Sequence, residues 1–270
     1  MVLITAEELA RRLERARVVD ARGSGYADEH VRGAVHAQLE RDLSGPADHP
    51  ERGGRHPLPD VAAFAERLGR WGIGPETEVV VYDDKGGANA AARLWWMLRA
   101  VGHERVSVLD GGWQAARAAG LPTDAEPPAI DPLPPYPADR WLLPTAGIDE
   151  VAERAGRQGD VVLDVRAAAR WRGETEPIDP VAGHIPGSRN LFFGENLDAS
   201  GRFLPPADLA AKYRALFGDV LPERVIVHCG SGVTACHTLL ALEHAGMPGA
   251  SLYVGSWSEW CRARWKPDAS

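Results

Sequence analysis

The sequence repeats itself, in order, and that constrains the fold more than any other feature. Val18-Val19-Asp20-Ala21-Arg22 returns as Val162-Leu163-Asp164-Val165-Arg166, and His30-Val31-Arg32-Gly33 returns as His184-Ile185-Pro186-Gly187. Val79-Val80-Val81-Tyr82-Asp83 returns as Val225-Ile226-Val227-His228-Cys229, and Gly111-Gly112-Trp113 returns as Gly255-Ser256-Trp257. A period of about 140 residues is far longer than the unit of a solenoid. It reads as a duplicated domain. At roughly 100–200 residues per domain, 270 residues hold two copies. The expected division is 1–121 and 145–270. Between them, 122–144 carries Pro127-Pro128, Pro132 and Pro134-Pro135. Proline fixes φ and removes a backbone donor, so this stretch is expected to run as an extended linker.

Each copy alternates strand and helix. In the second, Ile148–Ala155 has helical spacing and Val161–Val165 is a short apolar run. Pro206–Phe217 is helical, with Leu209, Tyr213 and Leu216 on one face. Val225–His228 is a strand, Thr234–Ala245 a helix and Ser251–Val254 a last short strand. Short apolar runs bounded by turn residues suit buried parallel strands joined by helical crossovers. The expected fold class is α/β twice, each copy a mainly parallel sheet flanked by helices. Trp95, Trp96, Trp113, Trp257, Trp260 and Trp265 are expected to pack in cores or between domains.

Charge and composition narrow the function classes. The formal net charge of −8 is the wrong sign for a nucleic-acid binder. No apolar run reaches the length needed to cross a bilayer. The N-terminus lacks the basic and apolar regions of a secretory signal. Three cysteines make no disulfide framework, which points to a reducing, cytoplasmic setting. Nothing in the composition indicates a cofactor.

The chemistry is expected at Cys229-Gly230-Ser231-Gly232-Val233-Thr234-Ala235, between a strand and a helix. In open α/β sheets this is the edge where ligands bind. Glycines let the backbone curl so that successive N–H groups converge on an anion, here the Cys229 sulfur. A buried core cysteine would have no use for such a loop, so the loop is expected to expose it. Cys236 is expected to pack inside the helix, and Cys261 to pack or lie at the surface. His228-Cys229 and Cys236-His237 do not follow zinc-ligand spacing, and no metal is expected. In the first copy Asp83 aligns with Cys229. A carboxylate cannot carry sulfur, so the first copy is expected to be catalytically inactive.

These features resemble the tandem form of the rhodanese family of sulfurtransferases. The resemblance rests on Asp164-Val165-Arg166, Gly183-His184-Ile185-Pro186-Gly187, the cysteine loop and Gly255-Ser256-Trp257, and it spans nearly the whole chain. The loop is similar to that of the 3-mercaptopyruvate sulfurtransferase branch; the thiosulfate branch usually has Arg-Lys where Gly230-Ser231 stand. Two cations suit a compact dianion, whereas a hydroxyl suits a ketone. The resemblance implies transfer of sulfane sulfur from 3-mercaptopyruvate, through a persulfide on Cys229, to cyanide or a thiol. Such a thiol would be a low-molecular-weight compound or a thioredoxin-like protein. The alternative is the same chemistry with thiosulfate as donor.

The same resemblance implies roles residue by residue. Ser231, His56 and Glu40 form a serine–histidine–acid relay, with Asp42 competing for the acid. Arg170 grips the substrate carboxylate. Gly230, Gly232, Val233 and Thr234 bind substrate and its charge through the loop. Asp164 and Arg166 support the architecture as an internal ion pair. One departure stands out. The branch often has a second arginine after Glu-Pro, and here Glu176-Pro177 leads into Ile178. Arg172 and Arg189 are the candidates to replace it. A phosphatase with a Cys-x5-Arg loop is disfavoured because position 235 is alanine. A non-enzymatic sulfur carrier is disfavoured because it would need none of Ser231, His56 and Arg170.

Overall fold

The computed structural model describes residues 2–88 and 90–264; Trp265 lies outside them. The chain divides into two compact units, and neither is continuous in sequence. The first comprises the chain up to Ser44, Pro59–Leu143 and Leu197–Leu204; the second comprises Gly45–Leu58, Pro144–Asn196 and the chain from Pro205.

In the first unit the strands are β1 (Leu3–Ile4), β2 (Arg17–Asp20), β3 (His30–Val31), β4 (Val35–His36), β5 (Val79–Tyr82), β6 (Val106–Leu109) and β7 (Thr123–Asp124). Among the described residues, five form a sheet of order β1-β6-β5-β2-β4 in which every pairing is parallel. The helices are α1 (Ala6–Ala10), α2 (Leu39–Asp42), α3 (Val61–Arg70), α4 (Ala91–Ala100) and α5 (Gly112–Ala118). Leu9, Val18, Val31, Val80 and Leu109 pack in one core cluster. The proline-rich stretch belongs to this unit as far as Leu143. Its backbone is tied down: β7 pairs with β3, Leu133 N–H donates to Gly69 O at 2.9 Å and Tyr136 N–H to Ala65 O at 3.0 Å.

The second unit has β8 (Val161–Asp164), β9 (Arg189–Asn190), β10 (Val225–His228) and β11 (Ser251–Leu252) in the order β11-β10-β8-β9, again all parallel. Its helices are α6 (Ile148–Arg154), α7 (Ala168–Trp171), α8 (Pro206–Phe217), α9 (Thr234–His244) and α10 (Ser256–Ala263). Val225–His228 and Pro206–Phe217 match the expected bounds. The other ends move by one or two residues, as terminal hydrogen bonds fray. Both units have the doubled α/β class expected from the sequence.

The repeat is visible in side chains as well as strands. Arg22 donates to Asp20 through Nε and Nη2, the latter at 2.6 Å, and Arg166 does the same to Asp164, also at 2.6 Å. The Arg22 guanidinium lies 4.1 Å from the Trp113 ring, and that of Arg166 lies 4.9 Å from the Trp257 ring. His30 stacks on Tyr26 at 4.0 Å, and His184 on Trp171 at 4.1 Å. Both members of the Asp164–Arg166 pair are buried. Removing one charge strands the other in a medium that cannot solvate it. Asp164→Ala is therefore expected to destabilise the protein by about 3–5 kcal/mol, read from urea denaturation monitored by tryptophan fluorescence.

Candidate active site

The site is built in the second unit, at the carboxyl end of β10. Cys229 follows the last strand residue, and the loop to α9 runs from Cys229 to Val233. Two backbone bonds fasten its start: Trp257 N–H donates to Cys229 O at 3.0 Å and Ser258 N–H to Gly230 O at 2.9 Å. Gly232 holds a φ of +75°, and a Cβ there would stand 2.5 Å from Val254 O. Only glycine fits that crossing. Thr234 begins α9 and Val233 precedes it.

The expectation of an exposed cysteine is corrected. Cys229 is only 2% exposed, and Gly230 to Val233 are buried with it. The loop curls inward, fastened to the start of α10, and the guanidinium groups of Arg55 and Arg170 lie over Gly230. A Cβ built on Gly230 would be 3.5 Å from Arg55 Nη2 and 3.6 Å from Arg170 Nη2. The glycines make close packing possible here; they do not open the loop to solvent. Cys236 is buried in α9 and donates its thiol to Gly232 O at 3.3 Å. Cys261 is buried as well, and that burial pushes its thiol pKa up.

His56 arrives from the Gly45–Leu58 segment, part of the second unit although its sequence lies in the first copy. Gly53 N–H donates to Glu259 Oε1 at 2.8 Å and Arg55 N–H to Ser258 Oγ at 3.1 Å. A side chain on Gly54 would meet Ser258 Oγ at 2.6 Å, so glycine permits the close approach. With the segment fixed, His56 Nδ1 stands 2.7 Å from Ser231 Oγ. The structure thus brings together two members of the relay implied by the resemblance. Glu40 is on α2 of the first unit and exposed. Asp42 is buried in that unit, where it accepts from Gln38 N–H at 2.8 Å and pairs with Arg41 and Arg67.

Arg170 lies on α7, its Nη2 donating to Glu176 Oε1 at 2.6 Å. The same carboxylate receives Arg166 Nη1 at 3.2 Å. Three residues along, Asp179 is buried and pairs with Arg55 and with Arg262, the latter at 2.8 Å. Ile178 points its side chain into solvent, 56% exposed. Neither candidate to replace the absent arginine is engaged at the loop: Arg172 pairs with Glu174 at 2.6 Å, and Arg189 donates to Leu216 O.

Two contributors were missed in the sequence. Ser256 Oγ accepts from Cys229 N–H at 3.1 Å and donates to Tyr253 O at 2.9 Å. Ser256 has a φ of +54°, unique among non-glycine residues in the described part, a conformation that costs about 1–3 kcal/mol. The first copy has Gly112 there, at φ +55°. Glycine would avoid the strain, and serine supplies the hydroxyl that orients the cysteine backbone. That contrast between Gly111-Gly112 and Gly255-Ser256 was the available signal. Arg55 is the other, and its partner Asp179 lies too far along the chain for any local pattern to reveal.

The first unit shows what such a loop can hold. Asp83 follows β5 as Cys229 follows β10. Its Oδ1 accepts from the N–H groups of Lys85 and Gly87, both at 2.8 Å, and its Oδ2 from those of Ala90 and Ala91, both at 3.1 Å. A negative charge there is met by four backbone amides, the arrangement the fold offers at a strand end leading into a helix.

Likeness to known proteins places the chain in a family. The model of the rhodanese-like domain matches residues 5–119 and 148–263, and the chain belongs to that family. A Pseudomonas aeruginosa protein named "Probable 3-mercaptopyruvate sulfurtransferase" is 43% identical, over 99% of this chain and 98% of its own. The thiosulfate sulfurtransferase of Gallus gallus is 38% identical over 87% of this chain and 79% of its own. The solved structure of 3-mercaptopyruvate sulfurtransferase from Leishmania major superposes with a TM-score of 0.84 at 32% identity, covering 97% of this chain and 75% of that one.

Next to Cys229, His228 is fully buried, its Nε2 3.8 Å from Asp164 Oδ2. Burial lowers its pKa from the usual 6.5, opposed in part by the Asp164 carboxylate. The folded state therefore keeps a neutral ring while the unfolded chain takes up a proton as the pH falls through 6.5. Stability is lost on that acid side, because there the unfolded state binds more protons. The urea midpoint is expected to drop between about pH 7.5 and pH 5.5, and to drop less in His228→Gln.

Proposed function

We propose that this sulfurtransferase moves sulfane sulfur from 3-mercaptopyruvate to a thiol or cyanide acceptor by way of a persulfide on Cys229. The observation that carries the reading is the 2.7 Å contact between His56 Nδ1 and Ser231 Oγ beside the cysteine loop. A hydroxyl backed by an imidazole is what a ketone-bearing donor needs at its leaving group.

In the first step the Cys229 thiolate attacks the donor sulfur. The new S–S bond forms as the donor C–S bond breaks, and the bonding pair leaves on carbon as the enolate of pyruvate. That enolate takes one proton, delivered through Ser231 with His56 behind it, and departs as pyruvate. In the second step an acceptor thiolate or cyanide attacks the outer sulfur. The S–S bond breaks, its electron pair returns to Cys229, and the thiolate is restored. The loop backbone at Gly230, Gly232, Val233 and Thr234 stabilises the anionic sulfur through both steps, as the amides around Asp83 meet a carboxylate in the first unit. Arg170, braced by Glu176, holds the donor carboxylate. Three unpaired cysteines and a thiol-dependent cycle suit a reducing, cytoplasmic compartment. A low-molecular-weight thiol or a thioredoxin-like protein would serve as acceptor there.

A second reading, thiosulfate as donor, is favoured by one feature. Two guanidinium groups, from Arg55 and Arg170, border Gly230, and a dianion would meet both. Steady-state kinetics with each donor separate the two readings: a higher kcat/KM for 3-mercaptopyruvate supports the first, and a higher value for thiosulfate overturns it.

Cys229→Ser is expected to abolish transfer, and mass spectrometry should find the one-sulfur adduct on the wild type alone after donor treatment. Ser231→Ala is expected to lower kcat with 3-mercaptopyruvate by about 100-fold or more, the usual contribution of a positioned acid or base. Thiosulfate turnover should fall much less, because sulfite leaves without needing a proton on carbon. Equal losses with the two donors would remove Ser231 from the proton path.

A further inference from the structure

The two copies differ at the amino ends of their sheets, the ends away from the loops of Asp83 and Cys229. Counting back from the matched Arg22 and Arg166, Ala16 corresponds to Asp160 and Arg17 to Val161. In the second unit Asp160 is buried among three guanidinium groups, with Arg224 at 2.9 Å, Arg154 at 3.0 Å and Arg157 at 3.7 Å. Val161 beside it is buried in the sheet. The first unit also gathers arginines at this end, with alanine where that carboxylate stands. We propose that the first unit binds a small organic monocarboxylate there, in a cavity of about 300 Å³ built around Arg17.

The cavity sits where three parallel strands begin. Arg17 opens β2, Thr77 precedes β5, and Arg32 and Gly33 lead into β4, while Pro128 and Ala129 of the proline-rich stretch wall it. Its volume lies at the lower end of the range for small-molecule sites. A Cβ on Gly33 would meet no atom within 4 Å, whereas one on Gly187, its counterpart, would stand 2.6 Å from Gly156 N. Backbone closes this corner in the second unit and leaves room in the first.

Charge decides what the room suits. Arg15 and Arg32 already face carboxylates, Glu78 at 3.6 Å and Asp124 at 3.5 Å. Arg17 has no such partner among the described residues. Its Nε is buried without a hydrogen bond, and its backbone N–H is taken by Glu78 O at 2.8 Å. Burial pulls its pKa down, and no neighbouring carboxylate opposes the shift. A guanidinium half withdrawn from water and left unanswered is costly, a cost the second copy avoids with Val161. One carboxylate answers it with two parallel hydrogen bonds. Thr77 Oγ accepts from Gly74 N–H at 2.9 Å and keeps its own proton for a ligand. Leu13 and Ala16 pack against the core cluster, and with Pro128 and Ala129 they make the remaining wall apolar, which suits a short carbon body. Glu14, exposed at the rim, favours a single negative charge over a double one.

The test is isothermal titration calorimetry with propionate in low-salt buffer, where a charge-assisted contact is least screened. It compares wild type with Arg17→Met, and Arg170→Met with the double variant Arg17→Met/Arg170→Met. Arg170→Met removes the proposed donor grip, so binding that survives it belongs elsewhere than the cysteine loop. Arg170→Met should still bind propionate, and adding Arg17→Met should weaken the Kd about 10-fold or more, the scale of a lost charge-assisted contact. Propionate should raise the urea midpoint of wild type and of Arg170→Met, and leave that of the double variant unmoved. Methionine keeps the bulk and removes an unpaired charge, so Arg17→Met is expected to unfold at no lower urea than wild type. Arg17→Gln should lose binding to the same extent, and it carries the comparison should the methionine variant fail to fold. An equal Kd with and without Arg17 would overturn the proposal, as would the absence of both heat and a midpoint shift in Arg170→Met. Tighter binding of sulfate than of propionate through Arg17 would overturn the monocarboxylate class. None of these outcomes depends on which sulfur donor the second unit uses.

Discussion

The buried pair of Asp164 and Arg166 anchors the site. Asp164 ends β8, directly beside the cysteine-bearing strand, and accepts Arg166 at 2.6 Å. Arg166 then passes the constraint outward, to Gly183 O at 2.8 Å and to Glu176 at 3.2 Å, while its guanidinium covers the Trp257 ring. Glu176 in turn fixes Arg170, which faces Gly230. A chain of alternating charges thus runs from the sheet edge to the rim of the cysteine loop. Buried ion pairs seldom add much net stability over apolar packing. Their value here is directional, since each charge leaves its neighbour one orientation in which it is satisfied.

The two copies show how one scaffold is turned to two ends. In the first, Asp83 closes its own loop by accepting four amide donors, so the anion the loop attracts is already part of the chain. In the second, the residue at that place is Cys229, the position at which the proposed mechanism carries sulfur. The matching substitution lies a turn away in space. Gly112 adopts its left-handed conformation freely, whereas Ser256 holds nearly the same φ at a cost and returns a hydroxyl to the Cys229 amide. Strain of this kind collects where function needs a particular atom.

Much of this was legible in the sequence because the signals are local or repeated. Val225–His228 is an unbroken apolar run ending at a glycine-rich loop, and Pro206–Phe217 opens on a proline and shows helical spacing. The Asp-x-Arg pairs are two residues apart and occur twice. The pairing of His56 with Ser231 came from likeness to a family, since nothing in either neighbourhood reports on a partner 175 positions away. Arg55 and Asp179 were illegible for the same reason, at a separation of 124. The burial of Cys229 was misread because glycine serves two ends, opening a loop or letting it pack against another backbone. Only the position of Val254 O decides between them. The discontinuous units escaped notice because repeat matching divides a chain by similarity, while packing divides it by contact.

The Gly45–Leu58 segment has a consequence for how such a protein came to be. It is encoded in the earlier copy yet supplies an imidazole and a guanidinium to the later one. Under the proposed mechanism, the half that carries Cys229 depends on a segment of the other copy for its proton path. Loss of the first copy is then no longer neutral, even though aspartate stands there at the counterpart of Cys229. The arrangement acts as a ratchet: once a residue is borrowed across the repeat, the tandem gene cannot shrink back to a single copy without first reinventing what it borrowed.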